Sequence, residues 1–110
     1  MSAWLSLQLI NHRLGLLAVN RANFEEGCAY LQKAYSVNPV NRGIVKNLGY
    51  CYIWLGEIDT AAAYLGDIPE AGVEMEWYSW WWGTQERKDL SEYANRMMNK
   101  LTAMQMKGNH

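Results

Sequence analysis

The chain repeats itself at a spacing of 34 residues. Three groups of residues recur at this distance: Ile10 as Ile44, Leu14-Gly15 as Leu48-Gly49, and Ala29-Tyr30-Leu31 as Ala63-Tyr64-Leu65. A period of this length is typical of an array of stacked helical hairpins, in which each repeat is one pair of helices. Gly49 recurs again at Gly83, so we expect a third repeat with Trp82 in place of the leucine.

The sequence predicts a single all-α domain over residues 1–110, with repeats at about 8–41, 42–75 and 76–106. Only two prolines occur and 50% of the residues are hydrophobic, without the short alternating runs of a β domain. Six helices are expected, at about Ala3–Asn20, from Asn23 to the Asn38-Pro39 pair, Asn41–Leu55, Asp59–Gly66, Val73–Glu86 and Asp89–Met106.

Two details of these helices are also predicted. Asn23 with Glu26, and Asp89 with Glu92, have the spacing of capping boxes at the starts of the second and sixth helices. Pro69 should make the fourth helix short. Counting from Gly83, the last hairpin turn should be two residues shorter than the others.

The repeat resembles the tetratricopeptide repeat family. The resemblance is carried by Leu14-Gly15, Phe24, Gly27, Leu31, Ala34 and Pro39 in the first copy, and by Leu48-Gly49, Tyr52, Ile58, Ala61 and Leu65 in the second. It covers residues 8 to 106 and is strongest in the first two copies. It implies a right-handed superhelix of about three hairpins, whose first helices line a concave groove that docks a peptide or a partner's helix.

The resemblance also implies which residues face the groove. The candidate partner-binding residues are His12, Leu16, Lys46, Asn47, Tyr50, Trp54, Trp77, Trp80 and Trp81, with Val19, Asn20, Ile53 and Thr84 on the same surface. Some family members hold an acidic C-terminus in a clamp of basic residues and asparagines. Only Asn47 matches that clamp, and Trp77 and Trp81 replace basic residues, so we do not expect a carboxylate ligand.

The segment EWYSWWWG, residues 76–83, holds four tryptophans within six positions. On a helix, Trp77 and Trp81 lie one turn apart, Trp80 lies beside them and Trp82 turns towards the core, so one packed face cannot cover all four. The indoles either seal an irregular third repeat or contact a partner, because tryptophan is enriched at interface hot spots. The sequence leaves both interpretations open.

The first helix is apolar around most of its circumference, although a terminal repeat normally has a polar outer face. We therefore expect it to be covered, either by an upstream repeat or by a second copy of the chain. The last helix has one apolar stripe and one polar face, as a C-terminal cap should have.

Charge and motifs argue against several classes of function. A net charge of −1 gives no field for nucleic acid, and no segment is long and apolar enough for a membrane span. There is no phosphate-binding glycine loop, nucleophile turn or metal-ligand spacing, so we expect no enzyme activity, cofactor or metal. Cys28 and Cys51 fit buried thiols in the cytoplasm.

Two hypotheses follow. The chain is a protein-interaction module, adaptor or chaperone-like, that binds an apolar peptide or amphipathic helix in an aromatic groove. Alternatively, it is a structural or oligomerisation segment of a longer repeat-containing or multidomain protein.

Overall fold

The computed structural model describes residues 3–108, with side chains described for residues 6–107. Within this range the chain is all-helical and has no strand. The six helices are α1 Ala3–Asn20, α2 Phe24–Val37, α3 Arg42–Trp54, α4 Ile58–Leu65, α5 Ala71–Thr84 and α6 Lys88–Gly108. The predicted all-α class and the short α4 are confirmed.

The helices pack as three consecutive hairpins, α1 with α2, α3 with α4, and α5 with α6. Between hairpins, α2 packs against α3, and α6 packs against both α3 and α4. One core runs through all three hairpins. Its largest fully buried side chains are Leu31, Ile44, Leu48, Ile53, Leu65, Met75, Leu90 and Met97.

The three hairpin turns are built in the same way. A residue of positive φ lies two positions after the end of each first helix, at Ala22 (φ 60°), Gly56 (φ 82°) and Glu86 (φ 59°). The next amide donates back across the turn in all three, Asn23 to Ala18 (2.8 Å), Glu57 to Tyr52 (2.9 Å) and Arg87 to Trp82 (2.9 Å). This is the Schellman ending of a helix, which satisfies carbonyls that the last turn leaves unpaired.

The equivalent turns correct the predicted register of the third repeat. Ala22 and Gly56 are 34 residues apart, but Gly56 and Glu86 are only 30 apart. The missing residues lie in the second hairpin, where α4 has 8 residues against 14 in α2. The prediction that the last turn loses two residues is therefore wrong, because the shortening occurs upstream in α4, which ends at Leu65 before the turn containing Pro69.

The positions at which paired helices approach each other closely agree with this 30-residue spacing of the third hairpin. A Cβ added to Gly15 would lie 2.7 Å from Leu31 Cγ, and one added to Gly49 would lie 2.7 Å from Leu65 Cγ. A Cβ on Gly83 would meet no described atom within 4 Å, so the predicted equivalence of Gly83 is wrong.

Ser79 occupies the equivalent place in the third hairpin. Its hydroxyl donates to Asn95 Oδ1 at 3.0 Å, across the same 16-residue separation that joins Gly15 to Leu31. Ser91 Oγ donates to the Ser79 carbonyl at 2.7 Å. Two serines and their hydrogen bonds thus replace the glycine contact of the earlier hairpins.

Neither predicted capping box forms as expected. Asn23 precedes α2 but makes no side-chain capping hydrogen bond, and Asp89 lies inside the first turn of α6. Asn41 does cap α3, because its Oδ1 accepts from the Ile44 amide at 3.1 Å. Glu25 and Glu26 of α2 and Asp89 of α6 still lie in the first turns of their helices, where the helix dipole favours carboxylates.

We expect Gly49→Ala to lower the free energy of unfolding by about 1 to 3 kcal/mol, because the new methyl group overlaps Leu65. Gly83→Ala should be neutral or stabilise the protein by up to about 1 kcal/mol, because alanine favours the helix and the site is open. Urea denaturation of both variants measures the difference. Equal destabilisation by the two substitutions would contradict the 30-residue register.

Candidate partner-binding cleft

A cleft of about 390 Å³ opens between α1, α3 and α5. We call it the aromatic cleft, defined by its lining residues Val19, Asn20, Trp54, Trp77, Tyr78, Trp81 and Trp82. Five of these seven side chains are aromatic and none carries a formal charge. Its volume is within the range of small-ligand and peptide-anchor pockets, which are about 300 to 1,000 Å³.

The rim of the cleft is a stacked pair of indoles. Trp77 and Trp81 lie one helical turn apart on α5, with ring centroids 5.6 Å apart and planes 8° from parallel. They keep 51% and 37% of their surface exposed. The core-packing interpretation of the tryptophan segment is therefore wrong for this pair, which forms a large aromatic surface in solvent.

Behind the rim, the rings pack edge to face and connect the surface to the core. Tyr78 packs against Trp77 and against Trp54, in each case with centroids 5.1 Å apart. Trp54 in turn packs against Trp82 at 5.6 Å, and Trp82 against Phe24 at 6.3 Å. These T-shaped contacts fix the orientation of each ring. The floor of the cleft is consequently a connected set of packed rings.

Trp82 carries an unusual feature. Its indole Nε1 is buried and has no hydrogen-bond partner among the described residues. An unpaired buried donor costs about 1 to 3 kcal/mol. The predicted inward turn of Trp82 is confirmed by its packing against the core, and this donor is a polar group within the wall of the cleft.

The predicted residues on α3 contact α5. Lys46 Nζ lies 2.8 Å from Glu74 Oε2 and 3.8 Å from Glu70 Oε1. Tyr50 is buried, and its hydroxyl donates to Glu74 Oε1 at 2.9 Å. Burial and the neighbouring Glu74 raise the Tyr50 pKa well above its ordinary value. Lys46 and Tyr50 therefore join two helices of this chain, and the charge of Lys46 is neutralised by the two glutamates.

The predicted residues on α1 lie along the same surface. Asn47 Nδ2 lies 3.1 Å from His12 Nε2. The amide is a donor, so the imidazole accepts and is neutral, in agreement with burial, which lowers the His12 pKa. Leu16 is half-buried. His12 and Asn47 thus tie α1 to α3.

The structure divides the nine predicted residues into three groups. Trp54, Trp77 and Trp81 line the cleft. His12, Lys46, Asn47 and Tyr50 hold the first helices together, while Leu16 lies beside them. Trp80 is 61% exposed but does not line the cleft, although its ring lies 6.4 Å from that of Trp77.

The prediction missed Tyr78 and Trp82 as cleft residues, and Glu70 and Glu74 as partners of α3. A signal for all four exists in the sequence. Residues 46, 50 and 54 and residues 70, 74, 78 and 82 each recur every four positions, and each set begins with charge and ends with aromatic rings. Two helix faces whose charged and aromatic residues recur at the same spacing are expected to pack side by side.

A larger hollow of about 470 Å³ lies beside the turn between α1 and α2. Its walls include the two exposed glutamates Glu25 and Glu26, together with Phe24 and Leu55. Phe24 is buried in the core, so this hollow lacks the exposed aromatic surface of the cleft. We regard the aromatic cleft as the stronger candidate.

The described residues offer little chemistry of other kinds. No group of three His, Cys, Asp or Glu side chains among them could hold a metal ion. Burial raises the pKa of Cys51 to about 12 and also raises that of Cys28, so neither thiol is an activated nucleophile. None of the described helices combines the length and the apolarity needed to cross a membrane.

The ion pairs between α3 and α5 give a pH prediction. Hydrogen bonding from Arg42 holds the Glu70 pKa at about 2, below its ordinary value. Its contribution to stability is therefore present above the ordinary glutamate range and is lost as the pH falls towards about 2. We expect Glu70→Gln to weaken the loss of stability between about pH 5 and pH 2.

Urea unfolding at several pH values measures this effect. Glu76→Gln, at an exposed glutamate of α5 outside these ion pairs, is the matched control. Identical acid dependence of Glu70→Gln and the unsubstituted protein would show that the Arg42 contact contributes nothing in solution, as can occur for exposed ion pairs.

Comparison with known proteins gives no match: no protein-family model, no curated protein and no solved structure matches this chain.

Proposed function

We propose that the chain is a protein-interaction module that binds an apolar peptide segment or amphipathic helix of a partner in the aromatic cleft. The observation that carries this proposal is the exposed Trp77–Trp81 stack at the rim of a cleft of about 390 Å³. Tryptophan is enriched at interface hot spots, and large exposed apolar patches mark interaction sites.

The chemistry of the lining supports an apolar ligand. None of the seven lining residues carries a formal charge, and the nearby cation Lys46 is already paired with Glu74. An anionic ligand would find no free cation in the cleft. Apolar side chains that enter it would gain contact with indole faces, while Asn20 and Tyr78 offer hydrogen bonds to a peptide backbone.

We further propose that the array has the right-handed superhelical form of tetratricopeptide repeats, with the cleft on its concave side. The three equivalent turns and the close helix approach at Gly15 and Gly49 support this proposal. Packing of α2 against α3 supports it as well, because successive hairpins in such an array stack on each other. The proposed role is binding without catalysis.

The test separates binding from folding. A random peptide library displayed on phage is selected against the unsubstituted chain, and the affinities of the selected peptides are measured by fluorescence titration. We expect the double variant Trp77→Ala with Trp81→Ala to weaken binding at least about thirtyfold, the factor that corresponds to loss of a hot spot of about 2 kcal/mol. Its helical circular dichroism should be unchanged, since both rings are largely exposed.

Trp80→Ala is the matched control, because Trp80 is an exposed indole of the same helix that does not line the cleft. It should leave affinity within about threefold of the unsubstituted chain, well below the hot-spot threshold. Peptides whose binding is equally insensitive to both variants would contradict the proposed site. Trp54 is unsuitable for this test, since it is buried against Phe24, Tyr78 and Trp82.

A further inference from the structure

The outer face of α1 is apolar and exposed. Ile10, Leu14 and Leu17 keep 53%, 37% and 52% of their surface in solvent. Their spacing of four and three residues places them in one stripe along the helix. We call this stripe the α1 face. It lies away from the aromatic cleft, whose α1 residues are Val19 and Asn20.

The same stripe occurs one repeat later and is completely buried. The residues 34 positions on are Ile44, Leu48 and Cys51, and each has an exposure of 0%. The equivalence is structural as well as sequential, because a Cβ added to Gly15 would lie 2.7 Å from Leu31, and one added to Gly49 would lie 2.7 Å from Leu65. Helix α3 therefore shows how this face is buried when other helices pack against it.

At α3, one covering element is the second helix of the preceding hairpin, which reaches the stripe at Cys51. Helix α2 packs against α3, and Cys51 Sγ lies 2.9 Å from the Phe24 carbonyl, to which it donates. A Cβ on Gly27 would lie 3.5 Å from Cys51 Sγ, so α2 offers a small residue at this contact. The cover is thus an amphipathic helix with an apolar stripe that includes a position of close approach.

We propose that the α1 face docks the second helix of a further hairpin built like α1–α2. Its contacting stripe is apolar, because the α1 face that it covers consists of Ile10, Leu14 and Leu17. The proposal concerns a surface distinct from the aromatic cleft and does not depend on the proposed peptide binding.

The two ends of the array differ, which makes this docking one-sided. Helix α6 presents a polar outer surface that includes the exposed residues Glu92, Asn95, Arg96, Asn99 and Lys100. A second copy cannot cover the α1 face with that polar surface. Pairing of the two α1 stripes about a two-fold axis is the symmetric arrangement open to a second copy, and the experiment distinguishes a second copy as occupant.

The test adds a hairpin in the observed register. Residues 1–41 are joined directly to residues 8–110, so that Asn41 is followed by Gln8. In the natural chain Asn41 is followed by Arg42, which lies 34 positions after Gln8. We call the added residues 1–41 the outer copy and residues 8–110 the inner copy. The added α2 is then placed to cover the α1 face of the inner copy. The outer copy keeps its own α1 face exposed, and all residues of the aromatic cleft are retained.

The readout is the paired substitution Ile10→Ser with Leu17→Ser, made in the inner copy, in the outer copy or in the unextended chain. In the inner copy we expect the unfolding equilibrium constant in urea to rise at least about a hundredfold, since two buried side chains are truncated. In the outer copy and the unextended chain we expect a rise below about tenfold, since the side chains are half exposed.

Equal effects in the two copies, or failure of the extended chain to unfold as one cooperative unit, would overturn the proposal. The oligomeric state of the unextended chain, measured by sedimentation, is the second test. A dimer that the paired substitution dissociates would show that another copy occupies the α1 face, which also overturns it. A monomer whose extended form shows the inner-copy effect supports it.

Discussion

The close approach of the two helices in each hairpin is the constraint on which the other contacts depend. At Gly15 and Gly49 there is no room for a side chain, because Leu31 and Leu65 occupy the space. In the third hairpin Ser79 and Ser91 hold the helices together by hydrogen bonds instead. This contact and the turn that follows it determine which residues of each first helix point to the core and which point outward.

The shortening of α4 changes what the third hairpin can do. Because the third turn follows the second after 30 residues instead of 34, Glu74 and Tyr78 of α5 face Tyr50 and Trp54 of α3. At the charged end of this contact, Lys46 is paired with Glu74. Its aromatic end continues to the surface as the Trp77–Trp81 stack. The candidate binding surface is therefore a direct consequence of the change in register.

Helix content and the first two hairpins could be predicted from the sequence, because the 34-residue period and its glycines report directly on close packing. The third hairpin could not be placed correctly, because Gly83 keeps the period while Ser79 keeps the contact. A serine that donates to a carbonyl leaves no distinctive signal in a single sequence. The roles of Lys46 and Tyr50 depended on Glu74, whose position follows from that register.

The open aromatic cleft is tested most directly by the accessibility of individual tryptophan rings, measured by NMR with a soluble paramagnetic relaxation agent. We expect strong broadening of the ring signals of Trp77, Trp80 and Trp81, and little broadening for Trp54, which is 5% exposed. Protection of Trp77 and Trp81 in the isolated chain would contradict it, because the stacked pair would then belong to the core and not to an open cleft.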